Sequence, residues 1–104
     1  MDDLTRPALK LLNQRARAAI EMATTLRRDG TPLPTALQQA EQRIRTAGVP
    51  AGMTPEVTAA ATEEQGVILE LVRRARLEPE AACPGQDPLD WLAMVLDDRG
   101  RQLA

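Results

Sequence analysis

The sequence predicts an all-α fold: a small bundle of about four helices, running long, short, medium and medium in chain order. Three observations lead there. Apolar residues recur at three- and four-residue spacing, the period of a helix face, and no stretch alternates with the period of a strand. Thr5-Arg6-Pro7, Thr54-Pro55-Glu56 and Asp87-Pro88-Leu89-Asp90 each place a capping side chain beside a proline, and proline is tolerated in a first turn, where its missing N–H would be unpaired. Gly30, Gly48 and Gly100 fall where the periodic segments run out.

The first helix is expected over residues 5–29, capped by Thr5 and ended by Gly30. Leu9, Leu12, Ala16, Ala19, Ala23 and Leu26 form its stripe, with Leu11, Ile20 and Met22 alongside. Thr31-Pro32-Leu33-Pro34 reads as a rigid linker, because each proline disfavours helix in the residue before it. A second helix over 35–47 carries a narrow seam of Leu37, Ala40, Ile44 and Ala47. Val49-Pro50-Ala51-Gly52 is a loop. The third helix, over 54–77, has Glu56, Glu63, Glu64 and Glu70 early and Arg73, Arg74 and Arg76 late, which suits the helix dipole. Gly66 inside it marks a close contact, a kink or a tolerated defect. Residues 78–86 read as loop with at most one helical turn. The last helix, over 87–100, carries Leu89, Leu92 and Leu96, with Trp91 and Val95 beside them.

All 104 residues read as one domain. At 43% hydrophobic and 27% charged the composition is globular rather than disordered. There is no Phe or Tyr and Trp91 is the only aromatic, so the apolar faces are shallow and a supplement from oligomerisation is expected. A first helix about 36 Å long cannot be covered by a second one about 18 Å long. Either the later helices cover the rest of the first stripe, or that stripe is an interface, most simply in a two-fold homodimer.

The net charge of −2 points to neither nucleic acid nor an anionic membrane as partner. Its distribution is uneven: residues 1–52 hold eight Lys/Arg against five Asp/Glu, and residues 53–104 hold five against ten. Such asymmetry can steer an antiparallel or head-to-tail pairing of copies. Reading helices two and three as a helix-turn-helix fails, because the connection is long and the second helix opens on Glu56. Cys83 has no second cysteine to pair with, Met1-Asp2-Asp3 lacks the pattern of a signal peptide, and no apolar run reaches membrane-spanning length. The expected location is cytoplasmic.

Histidine and serine are both absent, which removes the commonest general base and any Ser-His or Cys-His nucleophile. Cys83 sits in a proline-glycine loop without clustered bases and reads as a spectator thiol. The acidic pairs Glu63/Glu64 and Asp97/Asp98 are the remaining candidates for metal chemistry. Asp90-Trp91-Leu92-Ala93-Met94-Val95-Leu96-Asp97-Asp98 resembles the opening of the acidic motif in all-helical nucleotide pyrophosphohydrolases of the MazG kind. That resemblance implies that Glu63 or Glu64 converges with Asp97 or Asp98 on a magnesium ion. The family's further acids fall here on Arg99, Gly100 and Arg101, and adjacent helical residues diverge by about 100°. The pairs are therefore read as solvated charge, and neither a metal ligand nor a cofactor is assigned.

A second resemblance concerns residues 1–77. Leu11-Leu12-Asn13-Gln14-Arg15-Ala16 resembles the Leu-Leu-x-x-Arg pattern of the all-helical chorismate mutases, and Gly52-Met53-Thr54-Pro55-Glu56 resembles the start of their third helix. Those enzymes hold a dianion in a reactive conformation through orientation and electrostatics, without nucleophile or metal. The resemblance implies an anion-binding cavity lined by Arg15, Arg28 and Arg73. The family's helix-one lysine falls at Leu26, which leaves Arg27 or Arg28 to substitute. Its second-helix Arg-Glu pair falls at Ala36-Leu37, which leaves Glu41 with Arg43 as a shifted replacement.

The residues are best read as a protein-interaction or regulatory module, self-associating and non-catalytic, whose partner is a second copy or another protein. The candidate interface residues are Leu9, Leu12, Ile20 and Leu26 on the first helix and Trp91, Val95 and Leu96 on the last. Trp91 is either the anchor of that interface or a plug in the core.

Overall fold

The computed structural model of the chain describes residues 4–103. It is an all-α bundle of α1 (Thr5–Arg28), α2 (Leu33–Ala47), α3 (Pro55–Leu77), the single turn α4 (Pro79–Ala82) and α5 (Pro88–Gln102). The four long helices alternate in direction. α1 and α3 pack on each other, while α2 and α5 lie on opposite sides, each packed against both and scarcely touching one another. Seen end-on this is a rhombus whose short diagonal is α1–α3.

The residues at the helix ends explain most of the boundaries. Thr54 accepts a hydrogen bond from the Val57 N–H at 3.3 Å, and Asp87 accepts one from the Asp90 N–H at 3.1 Å, so two of the three expected caps are formed. Thr5 is not a cap: the backbone is already helical at Leu4, so Thr5 is buried within the first turn. At the other end of α1, the Thr31 N–H bonds to the Leu26 C=O and the Gly30 N–H to the Arg27 C=O. This paired closure needs a residue at positive φ, and Gly30 supplies it at 108°.

Two expected boundaries move. The rigid linker of residues 31–34 is half helix, since α2 begins at Leu33 and Pro34 fits in its first turn, where no N–H is required. α5 continues through Gly100 to Gln102 instead of stopping there. The reason is lateral packing. Asn13 of α1 donates its side-chain amide to the Leu96 carbonyl at 2.8 Å, and a Cβ on Gly100 would sit 2.8 Å from Asn13 Oδ1. Gly100 is the gap that lets a buried amide reach the α5 backbone.

The core runs along the short diagonal and is built from small residues. Ala16, Ala19 and Ala23 of α1, Ala36 and Ala40 of α2, and Ala61 and Ala75 of α3 are buried with Leu12, Ile20, Leu37, Ile68, Val72, Leu89, Leu92 and Leu96. The α1 stripe is thus covered by α2, α3 and α5 together, not by α2 alone. Leu9, Leu12, Ile20 and Leu96, expected as interface candidates, are buried in this core, Leu9 at 8% exposed and the others less. Leu26 and Trp91 are half-buried against it, and Val95 is half-buried as well.

The two interior glycines separate by sign. Ala at Gly66, where nothing lies within 4 Å, should raise stability by about 1 kcal/mol through helix propensity alone. Ala at Gly100 should lower it by about 1–2 kcal/mol, because displacing Asn13 breaks a buried hydrogen bond. Urea unfolding of both variants reads the two signs directly.

Candidate functional site

Ionic contacts among the helices decide which charges are left for a partner. Glu41 of α2 is only 5% exposed. Arg76 of α3 donates to its Oε2 through Nε at 3.1 Å and Nη2 at 2.9 Å, and Arg45 donates to Oε1 at 3.1 Å. Glu64 of α3 takes a two-pronged contact from Arg99 of α5, with Nε at 3.0 Å. Arg17 of α1 bonds Asp97 of α5 at 3.0 Å, and Arg27 of α1 pairs with Asp87. Each of these acids is answered inside the fold, and Glu41 and Glu64, the two most removed from water, require it most.

Those pairings dissolve the metal constellation that the MazG resemblance implied. Glu64 is held by Arg99, Asp97 by Arg17 and Asp98 by Arg101, while Glu63 is exposed. Among the described residues no three acid or thiol side chains converge on a cation position. The arginines of the mutase-like reading do not converge either. Arg15 is exposed and Arg73 pairs with Glu70 on its own helix at 3.2 Å. Arg28 lines a cleft of about 280 Å³ with Arg17, Glu21, Thr24, Thr25 and Asp90, and neither Arg15 nor Arg73 reaches it. Glu41 and Arg43 have separate partners too: Arg43 donates to the Met22 sulfur at 3.1 Å. Cys83 is buried, and that burial, followed by the nearby Asp87 charge, pushes its thiol up and away from the reactive thiolate form.

What the fold does assemble is an apolar groove at the end of the bundle where α1 and α3 both begin. Leu4, Pro7, Ala8 and Leu11 form one wall, and Pro50, Gly52, Met53, Thr54 and Val57 the other, around about 320 Å³. Leu4 is 62% exposed and Leu11 36%, high values for leucine. The polar side chain in the lining, Thr54, has its oxygen engaged in capping α3. The groove therefore offers contact area but no convergent polar groups to orient a small polar ligand. Periodicity assigned Leu11 only a place alongside the main stripe. The missed signal was the seven-residue spacing of Leu4 and Leu11, two turns apart on the side of α1 that the core leaves out.

Asp87 joins α1 to the start of α5 and sets a pH dependence. Burial alone would push its carboxyl up, but the Arg27 hydrogen bond, the Asp90 N–H and the Arg27 charge together outweigh it and hold it below the usual 3.8. A depressed folded-state value gives stability that is present above the unfolded value and lost as pH falls through the folded one. Asp87→Asn keeps a capping side chain but drops the charge facing Arg27. Its deficit against the parent in urea unfolding should be full at pH 7 and shrink progressively below about pH 4. A deficit that does not shrink as the pH is lowered would place the effect in the cap alone.

Among the described residues no helix is long and apolar enough to cross a membrane. Comparison of the chain with protein-family models, with curated proteins and with solved structures finds no match to any of them.

Proposed function

We propose that the chain is a small helical interaction module that binds a second copy of itself, and that its work is association rather than catalysis. The observation that carries this reading is the groove between the starts of α1 and α3, with Leu4 and Leu11 exposed on its rim. An exposed apolar groove of this kind gives another macromolecule a place to sit. A second copy suits it because most soluble assemblies are built from identical chains. A lone, buried cysteine is in keeping with a reducing compartment, and we place the module in the cytoplasm.

Light scattering on a sizing column tests the reading. The parent chain should elute above its single-chain mass of 11.3 kDa, with the excess growing with concentration. Leu11→Glu should return it to that mass while its circular dichroism and melting stay near the parent's, because Leu11 lies at the rim and not in the core. A parent chain that stays at 11.3 kDa up to millimolar concentration would overturn the proposal.

A further inference from the structure

The outward faces of α1 and α3 lie on opposite sides of the molecule, because each helix turns its buried face toward the other across the short diagonal. The two helices run in the same direction and start at the same end, where residues 4–11 meet residues 50–57. A copy shifted sideways along that diagonal would therefore lay its α3 face on the first copy's α1 face, parallel and level with it.

One charged edge of each face matches the other in that arrangement, with Arg17, Glu70 and Arg73 already engaged within the molecule. Each residue turns a helix by about 100°, so positions along one edge can be read from their spacing. On α1, Arg6, Lys10, Glu21 and Arg28 fall on one edge of the outward face, about 30–90° to one side of its centre. On α3, Glu56, Glu63 and Arg74 fall about 35–55° to the other side, with Glu78 directly after the helix. When two parallel helices face each other, opposite-handed edges are the ones that meet. The first edge reads plus, plus, minus, plus and the second minus, minus, plus, minus.

The heights agree as well as the signs. Arg6 and Arg28 are 22 residues apart, and so are Glu56 and Glu78, a rise of about 33 Å in each case. Between them, Lys10 against Glu63 and Glu21 against Arg74 are each offset by three residues, about 4.5 Å, which long side chains span. Among the described residues Glu21 has one ion-pair contact, to Arg17 at 3.6 Å, and the other seven have none. Arg15 stands on the other edge of α1 with Leu4 and Leu11. Opposite that edge α3 presents Thr58, Ala59, Thr62 and Gly66, small residues that leave room for leucine. No atom lies within 4 Å of where a Gly66 Cβ would be.

We infer that copies of this chain associate head to tail, the outer face of α1 on one copy lying parallel to the outer face of α3 on the next. This rests on the self-association proposed above and specifies its geometry. A contact between two different faces of the same molecule does not close on itself under a two-fold axis, so each added copy leaves one α1 face and one α3 face free. Growth is then open-ended. It also weakens with salt, because its specificity resides in exposed charges, whose range shrinks to about 3 Å at 1 M salt.

The test is sedimentation velocity across a concentration series, with the parent chain, Lys10→Glu and Glu63→Lys. Both side chains lie outside the core and neither forms an ion pair among the described residues, so folding should be retained, and circular dichroism checks it. The parent should pass the mass of two copies without a plateau. Each variant alone should associate about tenfold more weakly, since a like charge replaces an attraction at every contact. Mixing the two in equal amounts should restore growth, because opposite charges meet wherever the variants alternate. A parent that plateaus at two copies, or variants that fail to complement, would overturn the head-to-tail geometry while leaving self-association standing. A parent that remains a single chain throughout would overturn both.

Discussion

Close approach of α1 to three neighbours governs where every other helix can lie. Ala16, Ala19 and Ala23 are fully buried, and Ala36 and Ala40 of α2 are buried with them. Alanine at these positions brings helix axes near one another and loses no side-chain entropy on burial. It also buries less apolar area than leucine or an aromatic would. A chain with a single tryptophan and no other aromatic residue therefore gains stability through the number of helix contacts, with α1 touching α2, α3 and α5 at once.

The polar ties follow from that arrangement. α1–α2 and α1–α3 meet through small apolar residues. α5 carries much of the ionic stitching: Arg99 to Glu64, Asp97 to Arg17 and Asp87 to Arg27, together with the Asn13 amide on the Leu96 carbonyl. α2 is tied to α3 by Glu41, whose carboxylate would be costly so far from water without Arg76 and Arg45. These bonds orient helices whose alanine faces would otherwise slide, since alanine seams have few protrusions to set register. They also consume acids and bases that resembled parts of enzyme sites. The charges left over include those on the outer faces of α1 and α3, where association is proposed.

The helical reading and most of its boundaries were legible because they depend on local chemistry. Thr54 and Asp87 cap the helices they precede, Gly30 and Gly48 close the ones they follow, and the apolar spacing of α1 is the spacing of its buried face. Local chemistry also misled at Thr5, at Pro34 and at Gly100. In the first two cases the helix simply began earlier than the strongest local signal. At Gly100 the glycine answers a residue 87 positions away, Asn13, and no window along the chain contains both.

Fold class, the number of long helices and the apolar side of each one were already present in the linear chain, because periodicity, caps and prolines act within a few residues. So were the shallow core and the opposite charge of the two halves, which are matters of composition. Which leucines are covered was settled only by packing. Leu9, Leu12, Ile20 and Leu96 were indistinguishable from interface residues until neighbouring helices closed over them, while Leu4, Leu11 and Leu77 were left exposed. Packing alone joined Glu41 to Arg76 and Glu64 to Arg99, each across 35 residues. Burial and ionic partnership are properties of helix pairs, set by where one helix lies against another, and a single stretch of sequence specifies only one member of each pair.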